Sequence, residues 1–132
     1  MARIELPAPL IEQMRTGRVV LFLGAGASLE AKSPDGSKPP TGPKLADILA
    51  EKFVGEKVKD VDLMQVAEMA QRIAGKDNVA GFLRTFFRSF QPSAAHLLLP
   101  QFQWRAIATT NYDVLVEDAY GKARQPVQNL VT

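Results

Sequence analysis

Val19-Val20-Leu21-Phe22-Leu23-Gly24-Ala25-Gly26-Ala27-Ser28 is the segment from which the rest of the chain is read. Its first five residues are continuously apolar and β-branched at the start, the pattern of a central parallel strand covered on both faces. A Gly-x-Gly turn follows at once. Such a turn brings backbone N–H groups close to a pyrophosphate, because glycine permits the dihedrals and puts no side chain in the way. The third glycine of the usual dinucleotide fingerprint is replaced here by Ser28 or Leu29, so the dehydrogenase motif is not satisfied. Ser28 offers a hydroxyl for a phosphate instead. The competing reading of the same residues is a tight turn with no ligand.

Upstream, Leu10, Ile11 and Met14 after Pro7 and Pro9 predict a short amphipathic helix, which Gly17 ends in a left-handed conformation. Downstream, residues 32–43 are rich in Pro, Gly, Ser, Lys and Asp and read as a mobile loop beside the turn, with a lid as one role. Three helical patterns follow: Leu45, Ile48, Leu49 and Phe53; then Leu63, Val66, Ala67, Ala70 and Ile73; then about 78–90, where Val79, Phe82, Leu83, Phe86, Phe87 and Phe90 form a packing face capped by Asp77. Ser93 caps a further short helix carrying His96, which Pro100 ends. A second strand is expected over 105–109, a helix over 112–120 stopped by Gly121, and the start of a third strand over 127–131.

The span between the first two strands is much longer than one crossover helix requires. The expected fold is therefore α/β, a partial Rossmann-like parallel sheet with a helical insertion, about 43–100, between its first two strands. A chain of 132 residues fits one domain or part of one, and its apolar and charged fractions are those of a folded protein. Its formal charge of +2 is spread over scattered Lys and Arg, with no run dense enough for a nucleic-acid stripe. The absence of cysteine excludes disulfides and Cys-ligated metal, and no metal site is expected. The longest apolar run, 19–27, is too short to span a bilayer, and a signal peptide is disfavoured by Glu5 and Glu12 before it. A cytoplasmic location is expected.

The second informative stretch is Thr109-Thr110-Asn111-Tyr112-Asp113, at the C-terminal end of the second strand. In open α/β sheets ligands bind at that edge. Asn111 both donates and accepts without charge, and Asp113 accepts from a ribose hydroxyl or a carboxamide. The same residues also suit a helix start, with Thr110 or Asn111 as cap and Asp113 in the positive first turn.

Taken together, the Gly-Ala-Gly-Ala-Ser turn after one strand and Thr-Thr-Asn-Tyr-Asp after another resemble the Sir2-like superfamily. The resemblance covers nearly the whole chain, so 1–132 corresponds to the N-terminal part of that domain. It implies that Gly24, Ala25, Gly26, Ala27 and Ser28 hold NAD phosphates, with Thr110 beside them. It also implies that Asn111 and Asp113 lie near the nicotinamide and its ribose. Sirtuins usually carry Gln where Thr110 stands, and Gly-Ile-Pro-Asp-Phe-Arg where this chain has Pro39-Pro40-Thr41-Gly42-Pro43. Both departures favour the bacterial branch resembling NAD hydrolases of phage defence. The superfamily's catalytic histidine follows the Asn-Asp motif, so His96, the only histidine, is read as a packing or capping residue.

The resemblance thus implies an NAD glycohydrolase, releasing nicotinamide and ADP-ribose, with Asn111 and Asp113 as catalytic candidates and an incomplete site in this chain. A module that senses NAD or ADP-ribose and controls a partner is the second expectation, and an NAD-dependent protein deacylase the third. Assembly as a homo-oligomer or effector subunit is compatible with either of the first two.

Overall fold

The computed structural model describes residues 4–132. Among them the chain forms six α-helices and one two-stranded parallel sheet, a mixed α/β architecture. Helix α1 (Ala8–Arg15) leads through Gly17, at φ 65°, into strand β1 (Val20–Leu23). A 3-10 turn, Ala25–Ser28, follows the strand. Helices α2 (Gly42–Leu49), α3 (Leu63–Ala74), α4 (Lys76–Phe87) and α5 (Ala94–Leu98) then intervene before strand β2 (Ala106–Thr109) and helix α6 (Leu115–Lys122). The four helices between the strands are the insertion that the sequence spacing demands.

Strands β1 and β2 pair in parallel from Val20↔Ala106 to Leu23↔Thr109. The pairing is continued by Arg105 N donating to Val19 O (2.9 Å) and Thr110 N donating to Leu23 O (3.4 Å). Because both strands end at the same rung, the glycine turn and the Thr110-Asn111 segment emerge side by side. That register positions the site.

The core lies among the inserted helices. Leu45, Leu49, Val66, Ala70, Val79, Leu83, Phe87 and Phe90 form one buried cluster that also takes in Leu115 of α6. Spacing of three and four residues puts these side chains on single helix faces. Phe82 and Phe86 pack against the cluster, and Phe53 meets Phe82 edge to face at 5.5 Å. The phenylalanine stripe is a packing face, as its periodicity predicts.

Several local expectations are corrected. β1 is not covered on both faces: Val20 is 56% and Phe22 67% exposed, because the inserted helices pack on one another and leave that side of the sheet open. Helix α4 starts at Lys76, one residue after Gly75, whose φ of 88° breaks the chain between α3 and α4; Asp77 therefore sits in the first turn rather than at the cap. Gly121 lies inside α6, which ends at Lys122. Residues 127–131 form no strand. They are fastened by Gln128, whose amide accepts from Trp104 N and donates to Trp104 O, both at 3.0 Å, and by Val127 N donating to Pro100 O at 2.8 Å.

The 32–43 loop is anchored at its start, where Gln91 N donates to Lys32 O at 2.9 Å in an isolated antiparallel bridge. A tight turn follows, in which Asp35 accepts from the Ser33 hydroxyl and from Ser37 N. These hydrogen bonds, the Ser33 hydroxyl foremost, hold the Asp35 carboxyl at a pKa of about 2. Among the described residues no helix is long and apolar enough to cross a membrane.

Candidate functional site

The two sequence motifs, more than eighty residues apart, meet in one hydrogen-bonded cluster. Asn111 Nδ2 donates to Gly24 O at 2.9 Å and to Ser28 Oγ at 3.1 Å. Ser28 Oγ donates to Asp113 Oδ2 at 2.6 Å. The other carboxylate oxygen, Asp113 Oδ1, accepts from Leu115 N at 3.2 Å and so satisfies the first N–H of α6. Asn111 N in turn donates to Thr109 Oγ1 at 3.0 Å, which bends the chain directly after β2. Ser28 is only 7% exposed, so its hydroxyl works within the protein: its one proton goes to Asp113, leaving none to donate to a phosphate.

Beside this cluster lies a cavity of about 380 Å³. That size is at the small end for ligand sites, which run from about 300 to 1,000 Å³. Ala25, Gly26, Ser28, Thr110, Asn111 and Asp113 line it, so six of the eight residues singled out from sequence share one wall. Gly24 contributes through its carbonyl, which also accepts from Ala27 N at 3.0 Å, and Ala27 is not in the lining. The rest of the lining was not read from sequence. Pro39, Pro40 and Thr41 of the loop form part of it, together with Leu45, Leu63 and Phe87 from three inserted helices. Their helical spacing signalled core; only the folded insertion shows that they also face a cavity.

The glycines carry information through the space around them. Gly24 is extended at φ −101°, ψ −173°, which any residue adopts, and a Cβ at Gly24 or Gly26 would meet nothing within 4 Å. Neither the dihedral at Gly24 nor packing against the chain at either position demands glycine. A bare backbone beside a cavity is what close approach of a ligand requires. The N–H groups of Ala25 and Gly26 begin the 3-10 turn and have no acceptor within it.

Charge around the cavity is sparse. Among the described residues no Lys, Arg or His lines it, and Asp113 is the only charged side chain in the lining. Leu45, Leu63 and Phe87 contribute apolar surface to the lining. The lining suits a ligand portion carrying positive charge, in contact with apolar side chains and one carboxylate, with backbone N–H groups for an anionic portion.

His96 stands outside this lining. It is 4% exposed and closes a capping box at the start of α5: Ser93 Oγ lies 2.8 Å from Nδ1, and Ser93 N donates to Nδ1 at 3.2 Å. Burial lowers its pKa from 6.5, with the Asp113 charge opposing the shift. The capping role expected from sequence is the one it plays here. Among the described residues no group of three or more His, Asp or Glu side chains could hold a metal ion.

A scan against protein-family models finds no match to this chain, and a search of curated proteins finds none either.

Proposed function

We propose that this chain binds NAD in the cavity beside the glycine turn, as the N-terminal part of a Sir2-like, partial Rossmann-like domain, and favours cleavage of the nicotinamide–ribose bond. The observation that carries the reading is the convergence of Gly24, Ser28, Asn111 and Asp113 in one hydrogen-bonded cluster on a cavity wall. The phosphates meet the free N–H groups of Ala25 and Gly26. The positively charged nicotinamide ring lies between the apolar wall and Asp113.

Cleavage by water yields nicotinamide, ADP-ribose and a proton. As the glycosidic bond breaks, the ring becomes neutral and positive charge passes to the ribose carbon. A carboxylate fixed by two hydrogen bonds, as Asp113 is, stabilises that charge without reorganising. Asn111, its amide nitrogen already engaged, uses its oxygen to orient a ribose hydroxyl or the attacking water.

One observation favours a non-catalytic sensor of NAD or ADP-ribose: among the described residues no histidine, lysine or glutamate lines the cavity to take a proton from water. Incubation with NAD and chromatographic assay of nicotinamide separates the two readings. Release that Asn111→Ala abolishes supports hydrolysis; saturable binding without release supports the sensor.

A further inference from the structure

We propose that a second groove, at the end of the sheet away from the glycine turn, binds a hydrophobic monocarboxylate, its apolar body along α1 and its carboxylate on Arg15. The proposal stands apart from the NAD reading, because the two cavities share no residue.

The parallel strands separate the two places. The glycine turn and Thr110-Asn111 follow β1 and β2, whereas Gly17 and Gln101-Phe102-Gln103 precede them. Helix α1 and residues 101–103 both line a groove of about 460 Å³ there. That volume lies within the range of small-ligand sites, about 300 to 1,000 Å³. The lining is held in place from several directions. Val127 is fixed by its N–H donating to Pro100 O at 2.8 Å, and the Phe102 ring packs on Trp104 with centroids 5.6 Å apart. Gln103 lies so close to Gly17 that a Cβ there would stand 3.0 Å from its side chain.

No residue of α1 is buried, although Leu10, Ile11 and Met14 recur at helical spacing. In the groove, Leu6, Ile11, Phe102 and Val127 are between 37% and 56% exposed. Their apolar surface favours an apolar ligand body.

Arg15 decides the charge of the ligand. The carbonyls at the C-terminal end of α1 already have donors: Glu12 O accepts from Thr16 N and Thr16 Oγ1, Gln13 O from Arg18 N, and Met14 O from Gly17 N. The guanidinium is thus not needed as a cap. Ion pairs among the described residues join Lys57 to Asp47 and Glu51, and Arg72 to Glu68, and none engages Arg15. Among the described residues Arg15 is the only charged side chain in the lining, where the amides of Gln101 and Gln103 accompany it. A guanidinium presents a planar fork of N–H donors that matches a carboxylate, and amide NH2 groups add further donors. An apolar body ending in one carboxylate satisfies both parts of the groove.

Octanoate is the probe, and octanol, uncharged and of the same chain length, is the control. Both are titrated into the isotope-labelled wild-type chain, Arg15→Met and Val127→Glu, followed by backbone amide chemical shifts, with thermal melts to confirm folding. Octanoate should saturably shift the amides of residues 11–17, 101–103 and 127. It should bind about fivefold more tightly than octanol, the discrimination that an exposed ion pair provides. Arg15→Met keeps an apolar stem and should bind the two ligands alike, and Val127→Glu, which adds a carboxylate to the lining, should weaken octanoate more than octanol. Equal affinity of the wild type for both ligands, or a preference that Arg15→Met retains, would overturn the proposal. So would the lack of saturable shifts, or shifts confined to the open sheet face around Phe22. A dimer whose formation shifts the same amides and excludes octanoate would assign the groove to a second copy of the chain and overturn it equally.

Discussion

Replacing Ser28 and Asp113 by alanine, singly and together, tests whether the ends of the two strands are clasped as the structure shows. Ser28→Ala removes a 2.6 Å hydrogen bond to a carboxylate. Such bonds contribute about 1.5–3 kcal/mol, and the lower figure applies because Asp113 is only half-buried and water replaces part of what is lost. Asp113→Ala loses the same bond and also the acceptor for Leu115 N, a capping contact that adds about 1 kcal/mol. The shared bond can be lost only once. The double variant should therefore exceed Asp113→Ala in lost stability only by what Ser28 separately loses with Asn111, giving a coupling energy of about 1.5 kcal/mol. Urea unfolding followed by circular dichroism, with equal m-values across the four proteins, measures it. Additivity within about 0.5 kcal/mol would mean that the two side chains do not interact in solution, and the site built on their contact would lose its foundation.

Three further outcomes follow from other parts of the molecule. Burial lowers the pKa of His96 below 6.5, against the opposing pull of the Asp113 charge. Above pH 6.5 both folded and unfolded chains are largely neutral at this residue; below it the unfolded chain takes up the proton first, so stability falls as pH drops from 6.5 through the folded value. Melting temperatures between pH 5 and 8 should show this slope, and His96→Gln should remove it; a slope that survives the substitution arises elsewhere. Leu49, 1% exposed in the helical core, should cost about 2–5 kcal/mol when changed to alanine, whereas Met64→Ala, at a 79% exposed position, should stay within about 0.5 kcal/mol by the same unfolding assay. Phe22, 67% exposed on the open sheet face, should drive association at high concentration, and Phe22→Lys should reduce light scattering without lowering the melting temperature; undiminished scattering would exonerate that face.

The elements most legible in the sequence are those specified by adjacent residues. Ser93, three residues before His96, gives the start of α5, and Gly17 gives the left-handed exit from α1. The apolar run ending in Gly24 gives both β1 and the turn after it. Boundaries shifted where a side chain met a distant partner. Helix α6 begins at Leu115 rather than Tyr112 because Thr109 Oγ1 and Asp113 Oδ1 take up the N–H groups of Asn111 and Leu115 in a bend that precedes the first turn. Residues 127–131 have the composition of a strand, but Gln128 clasps Trp104 through its side chain, a contact that no local pattern announces. Covering both faces of β1 was inferred from hydrophobicity alone, and hydrophobicity does not say whether intervening helices will pack on a strand or on each other.

At the site, the residue types were legible and their division of labour was not. Glycines beside a strand end and an Asn-x-Asp beside another suggested a common ligand. The commitment of Ser28 to Asp113, rather than to a phosphate, depends on the parallel register that sets Leu23 opposite Thr109. The wall formed by Leu45, Leu63 and Phe87 depends on how the inserted helices return over the turn.

The central claim is tested most directly by titrating NAD into the wild-type chain and Gly26→Val in parallel. The new Cβ meets nothing within 4 Å and Gly26 lines the cavity, so the variant should keep its fold and melting temperature while placing its side chain where the ligand must come close. The account predicts saturable binding to the wild type that Gly26→Val loses. Equal binding by both proteins, or no binding by a folded wild type, would contradict it.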